Sequence, residues 1–416
     1  MTAKQLMNPV EPRPITNAKS KREWSWPFWP LVPLYPYGQR RTLKTEVVKN
    51  TIWTFDQVQG ILYVVVPIRM TVVKLAKGGL LVYAPVAPTP ECVGMLRELE
   101  AQHGEVKYII LPTVSGLEHK VFVGPFARQF RQAQVFVAPN QWSFPVNLPL
   151  SWLGFPPKRT QILPSDSQDA PFGDEFAYEI LEKVYLGPGS FEEVAFLHKA
   201  SRTLLVTDTV VSIPEDPPPI VQLDGFPLLF HARDQASDKL EDTPQMRRKG
   251  WQRISLFSLY FRPGALEPVA LKDALRRAFR ASDRSKKNYF GFFPFRWQNG
   301  WQQSFNSLRG GGRLLVAPVL QTLILNRAPQ ETLDWAKRVS SWEFERIIPC
   351  HFSAPIAATP EQFRQAFRFL EREAAVGLGY AGSLDRPLPG ADFSLLETLN
   401  HELSKIGIVP PPKEKV

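Results

Sequence analysis

Sulfur is scarce in this chain of 416 residues, which has two cysteines, Cys92 and Cys350, and five methionines. Two thiols can build neither a disulfide framework nor a cysteine-based zinc site, and they fit a reducing compartment. A transmembrane run is also missing. The most apolar stretch, Ile61 to Pro88, carries Arg69, Lys74 and Lys77 and is broken by Pro67 and Gly78-Gly79, so it reads as successive strands. The N-terminus lacks the apolar core and small-residue cleavage site of a secretory signal. Gly310-Gly311-Gly312 follows no expected strand and lacks the lysine of a phosphate loop. No internal repeat and no Ser/His/Asp pattern stands out, and the spacings of RRM, OB-fold and zinc-finger modules are absent. Nucleic acid is therefore not the expected partner.

Proline and aromatic residues are plentiful. Forty prolines and 12% aromatics point to long ordered loops over a core rather than a helical bundle, and 44% hydrophobic with 22% charged residues is ordinary for a globular protein. The formal charge of +10 either serves solubility or favours an anionic membrane surface or an acidic partner.

Residues 1–50 form an arm in which Trp24, Trp26, Phe28, Trp29 and Tyr35 alternate with prolines, followed by Arg40, Arg41, Lys44 and Lys49. The prolines predict an extended path. Such an arm either seals its own domain or, through residues 24–49, meets a protein partner or an anionic membrane. Compact structure is expected from Thr51, with strands at Ile61 to Val66, Met70 to Leu75, Leu80 to Tyr83 and Val106 to Leu111, and helices at Pro90 to His103 and Val123 to Arg131. Val194 to Val211 reads as a hairpin turning at Lys199 to Arg202 and delivering Asp208. Residues 223–312 read as a basic and aromatic insertion, with a helix around Leu266 to Arg280 and an aromatic loop from Tyr289 to Trp297 that packs on itself or on a protein. A helix at Pro329 to Trp342, a strand at Phe344 to Pro349, an amphipathic helix at Thr359 to Ala375 and a terminal helix at Asp392 to Lys405 complete the pattern.

Three strand exits carry chemistry: Glu118-His119, Asp208 and His351. A sheet could bring them to one edge, and two imidazoles with two carboxylates suit a borderline divalent cation. His198 sits beside the hairpin turn, roughly 20 Å from Asp208 at about 3.3 Å per residue, and is expected to cap that turn. His103 suits a helix C-terminus, while His231 and His401 read as structural or surface residues.

The order of these motifs resembles the metallo-β-lactamase superfamily, in the branch of ribonuclease Z and hydroxyacylglutathione hydrolase. In that family a strand leads to Thr-His-x-His-x-Asp-His, followed by a Pro-Gly-His turn, a Gly-Asp after a hairpin and a final histidine. Here Thr113 to His119, Pro188-Gly189-Ser190, Thr207-Asp208 and Cys350-His351 take those places. The resemblance implies an αββα sandwich. It also implies that the first metal site is lost, its ligands replaced by Val114, Gly116 and Ser190, while Glu118, His119, Asp208 and His351 keep a second-site set for one divalent metal, Zn, Fe or Mn. Ser190 would lie in the cleft, and Glu118 could serve as a base. Trp53 to Asp56, Val64 to Leu75 and Ala84 to Pro90, with the aromatic arm, are similar to a domain-of-unknown-function family prominent in cyanobacteria and plastids. That likeness implies a cytoplasmic or stromal protein, either free or peripheral to a membrane.

The expected architecture is an αββα core with an arm (1–50), two core parts (51–222 and 313–376), the insertion (223–312) and a C-terminal linker and helix (377–416). Two functions stand: a diverged hydrolase-like protein with one metal, or a non-catalytic binding or assembly factor working through the arm and the insertion.

Overall fold

The computed structural model describes residues 19–31, 33–114, 118–143, 146–372 and 388–416. Alternation of side chains along the strands builds four layers. The first sheet runs in the order β1 (Leu43–Val48), β2 (Ile52–Ile61), β3 (Val64–Lys74), β4 (Leu80–Tyr83), β5 (Val106–Leu111), β6 (Gln134–Val137) and β7 (Thr160–Ile162). Leu80 and Val82 of β4 and Val135 and Val137 of β6 point outward, onto Leu96, Phe122 and Phe126 of the helices Pro90–His103 and Lys120–Gln129. The intervening Leu81, Tyr83 and Phe136 point inward. There they meet Phe196, Leu205 and Ile348 of the second sheet, which contains β8 (Phe176–Ile180), β11 (Val194–His198), β12 (Thr203–Val206), β15 (Arg346–Pro349) and β16 (Ile356–Ala357). The outer face of that sheet, with Leu197, Leu204 and Ile347, packs on Trp335 and Phe363. This period-two switching between cores is what a sheet covered on both faces requires. The architecture is the expected αββα sandwich.

Two-stranded ribbons β9 (Val184–Tyr185) with β10 (Ser190–Phe191), and β13 (Leu266–Pro268) with β14 (Phe295–Trp297), lie outside the main sheets. The region 223–312 shares one apolar core with the second sheet, through Leu228, Trp251 and Phe293. Its basic cluster is spent internally: Arg247 pairs with Asp242, Arg248 with Asp216, and both Lys249 and Arg253 with Asp234.

Several boundaries differ from expectation, each for a local reason. Ile61 to Val66 is not one strand but spans a hairpin tip: Ile61 ends β2 and Val64 to Val66 open β3, because Leu62 (φ 50°) and Tyr63 (φ 64°) between them both take left-handed backbone. Two-residue hairpin turns ordinarily announce themselves with Asn or Gly, and this one has neither. Tyr63 is held by rings of Tyr35, Phe226, Phe230 and Tyr289 and donates its hydroxyl to Lys287 O. Leu266 to Arg280 splits into β13 and the helix Leu271–Ala278, since Pro268 interrupts the donor ladder. Thr359 to Ala375 shortens to Pro360–Gln365 and a 3-10 turn, Arg368–Leu370, whose tighter winding brings buried Phe367 and Leu370 toward one side; residues 373–375 lie outside the described residues. The arm is not uniformly extended. It holds a short helix, Lys19–Glu23, and a 3-10 turn, Trp29–Leu31, and it seats Trp26 on Phe122. Regular structure starts before Thr51, as β1 adds an edge to β2. No helix among the described residues is long and apolar enough to cross a membrane.

His198 does cap its turn, Nδ1 lying 2.7 Å from Ser201 Oγ. Burial lowers its pKa to about 4 and that of His231 to about 3. Both side chains are neutral in the fold and take up a proton more readily when unfolded. Their contribution is therefore complete above the ordinary histidine value of 6.5 and is lost as pH falls toward the folded values. Urea unfolding should show stability declining by about 1.4 kcal/mol per pH unit per group between about pH 6 and pH 4. His231→Gln should remove about that much of the slope.

A candidate metal site at the sheet edge

β12 and β15 are parallel neighbours in a register that pairs Val206 with Pro349. Two residues beyond each partner stand Asp208 and His351, so the register alone sets these side chains next to each other at the C-terminal edge of the sheet. From the facing sheet, the exit of β5 is stitched to the start of β11, with Val194 donating its N–H to Pro112 O and Thr113 bridging to Glu193. Glu118 comes from the loop that follows. One ligand atom from each of Glu118, Asp208 and His351 lies within 4.8 Å of the others. His351 Nε2 is 3.0 Å from Glu118 Oε2 and 3.0 Å from Asp208 Oδ1.

The other ring nitrogen decides what that Nε2 can be. His351 Nδ1 is 2.8 Å from Pro67 O, and a carbonyl only accepts, so Nδ1 carries a proton. Nε2 is then either a lone pair facing two carboxylates or the second N–H of an imidazolium. Burial disfavours the charged ring, but Glu118 and Asp208 outweigh it and raise the His351 pKa well above its ordinary value. Burial likewise pushes Glu118 up, and His351 overrides it, drawing the carboxyl down to about 2. The carboxylates are the open side of the cluster, Asp208 being 21% and Glu118 27% exposed while His351 is 9% exposed.

His119 repeats the arrangement. Its Nδ1 lies 3.1 Å from Pro85 O, the ring is buried, and Nε2 has no hydrogen-bond partner. Burial lowers its pKa against the pull of Glu118, so the neutral ring presents an unused lone pair. An imidazole whose far N–H is fixed on a backbone carbonyl is the usual form of a metal-binding histidine. A buried donor atom without a donor to meet it is what a cation would satisfy. Glu118, Asp208 and His351 are the three side chains whose ligand atoms stand close enough to share one cation. His119 itself lies outside the tight three-residue group.

The positions read as a lost first site are accounted for differently. Val114 is fully buried in the core between the sheets. Ser190 is buried in β10, where its carbonyl accepts the indole N–H of Trp142. A Cβ on neighbouring Gly189 would lie 2.0 Å from the Trp142 ring, so that ring occupies the space beside the turn. Gly116 lies outside the described residues.

Two positioning residues were missed from the sequence. Glu193, fully buried, accepts the backbone N–H groups of Thr207, Asp208 and Thr209 and the hydroxyl of Thr209, at 2.8 to 2.9 Å. It therefore fixes the loop that carries Asp208. Arg69, in the middle of β3, pairs with Asp56 at 2.6 Å and donates to Pro349 O and Phe352 O, clasping the loop that carries His351. Arg69 leaves a signal in the sequence, since a charge inside an apolar strand needs a partner, whereas Glu193 stands just ahead of β11 beside Glu192 and leaves none. Cys350 is buried beside the site with its thiol pKa raised by burial, which leaves it unreactive.

A family model described as "Domain of unknown function (DUF4336)" matches residues 49–369. No curated protein matches the sequence. Among solved structures, the DIM-1 metallo-beta-lactamase is similar over 79% of this chain and 99% of its own, at 9% identity and a TM-score of 0.37. The mono-zinc form of the metallo-beta-lactamase FIM-1 from Pseudomonas aeruginosa aligns over 79% and 95%, at 8% identity and 0.36. A flavoprotein from Thermotoga maritima aligns over 80% of this chain and 62% of its own, at 8% identity and 0.40.

Glu193→Ala should leave three backbone donors unpaired, each costing about 1–3 kcal/mol. The expected result is a loss of several kcal/mol in urea unfolding, with Glu193→Gln markedly milder because one oxygen still accepts.

Proposed function

The chain belongs to the DUF4336 family, and on that footing we propose that it is a diverged hydrolase-like protein of the metallo-β-lactamase type that holds one divalent cation. Glu118, Asp208 and His351 would hold the ion, with His119 as the fourth donor. The observation that carries this reading is the pair of histidines whose Nδ1–H groups are committed to Pro67 and Pro85 carbonyls, leaving one Nε2 toward two carboxylates and the other buried and unpartnered. A cation at that point would polarise a substrate oxygen and ease deprotonation of water. The protein's own part is to fix the donors: Pro67 and Pro85 set the imidazole tautomers, and Glu193 and Arg69 hold the two loops. Glu118 is the more exposed carboxylate and, drawn down to about 2 by His351, would stay ionised where solvent or substrate approaches. Two-metal hydrolysis has no support, because Val114 belongs to the core and the Trp142 ring stands beside the Ser190 turn.

A second reading is favoured by the raised pKa of His351. As an imidazolium between Glu118 and Asp208 it would make a charge-paired knot in a non-catalytic binding or assembly factor. The narrower likeness to ribonuclease Z and hydroxyacylglutathione hydrolase, and the choice among Zn, Fe and Mn, belong to the first reading.

Metal content by mass spectrometry separates the two. Tag-free wild type should carry near-stoichiometric metal, and Asp208→Ala and His351→Ala should each lower affinity by about tenfold or more. Wild type that stays metal-free after reconstitution with Zn²⁺, Fe²⁺ and Mn²⁺ would overturn the one-metal reading.

A further inference from the structure

The helix Leu271–Ala278 is fastened to the body with only Ala274 fully buried. Its apolar residues face solvent instead: Leu271 is 67%, Leu275 48% and, one turn on, Phe279 77% exposed. Spaced four apart, the three form a single row along the helix. Exposed Lys272, Arg276 and Arg280 form a second row, displaced by one residue and so running beside the first. Within this helix only Asp273 opposes them, 4.0 Å from Arg276.

The neighbouring loop extends both properties. Phe290, in left-handed backbone and 66% exposed, is followed by Gly291, where a Cβ would lie 2.5 Å from Ala281 Cβ and 2.9 Å from Ala278 O. The aromatic tip is thereby pressed against the end of the helix, and exposed Arg284 and Lys286 border it. Contacts between rings then lead away from this tip, from Tyr289 to Tyr63, Tyr35, Tyr37 and half-exposed Trp29 of the arm. Protein interfaces deplete charge at their centre, arginine excepted, and Lys272 would be unfavourable there. A row of large apolar side chains flanked by lysine and arginine is instead the arrangement of a helix that lies in a lipid headgroup layer.

We propose that the helix Leu271–Ala278, with Phe279 and Phe290, docks the protein on an anionic lipid surface. The apolar row enters the headgroup boundary, and Lys272, Arg276 and Arg280 meet lipid phosphates. The charge of +10 on the whole chain adds long-range attraction toward such a surface. This attachment is independent of whether the sheet edge binds metal.

Flotation of the full chain with vesicles tests it. Wild type should float with phosphatidylcholine vesicles containing about a third phosphatidylglycerol, not with phosphatidylcholine alone, and should be released by about 0.5 M salt. The variants Leu271→Ser/Leu275→Ser/Phe279→Ser and Lys272→Glu/Arg276→Glu/Arg280→Glu should each lower the bound fraction about tenfold or more. Trp152→Ser, at a site as exposed as Phe279 (77%), should change nothing. Circular dichroism shows whether each variant is folded, and hydrogen exchange on wild type supplies a readout without mutation: anionic vesicles should protect residues 271–280. Absence of wild-type flotation, equal flotation with neutral vesicles, or no protection at 271–280 would overturn the proposal. So would a wild-type dimer that the apolar variant converts to monomer, because a second copy would then cover the row.

Discussion

Arg69 joins the two sheets at the point where the site is built. Its guanidinium is buried in β3 of the first sheet, its charge is met by Asp56 on the adjoining strand, and its remaining donors reach Pro349 O and Phe352 O at the exit of the second sheet. A desolvated arginine is tolerated only when its charge and its hydrogens are both answered. Pro67, two residues earlier on the same strand, supplies the carbonyl that orients His351. One short length of β3 thus determines where the final histidine stands and which of its nitrogens is free. The layered core keeps the two sheets at a spacing where that reach is possible.

The site combines rigid and open parts. His351 and Asp208 are held by a parallel register and by loops clamped through Arg69 and Glu193, whereas Glu118 enters from a loop and stays partly exposed. The asymmetry leaves one carboxylate open to solvent while Asp208 and His351 stay fixed. Val114 faces the core between the sheets, so an apolar side chain there adds packing, while Glu118, Asp208 and His351 sit at the edge, where polar groups can be solvated.

Much of this was legible in the sequence. The strand and helix pattern announced a mixed chain, the family resemblance implied its αββα arrangement, and each of the three motifs that meet at the cluster lay just past an apolar strand. His198 could be set aside by counting residues along its hairpin. Other features were hidden for physical reasons. The Leu62-Tyr63 turn carries no glycine or asparagine because its unusual backbone is stabilised by rings from elsewhere in the chain. Glu193 and Arg69 act on backbone groups of distant loops, and sequence spacing does not encode such partners. The long helix expected at Leu266 to Arg280 failed at Pro268, a breaker that helical periodicity on either side concealed.

The aromatic grip on Tyr63 also bears on how the chain is made. Its hydroxyl partner, Lys287, lies 224 residues further along, and His231, which meets Leu62 O, lies 169 residues further along. A ribosome delivers the β2–β3 hairpin long before either, so during synthesis the tip must wait with Tyr35 as the one ring partner already made. Contacts of such sequence separation form late and slowly. The nascent first sheet would therefore remain open at this corner until residues 223–312 arrive.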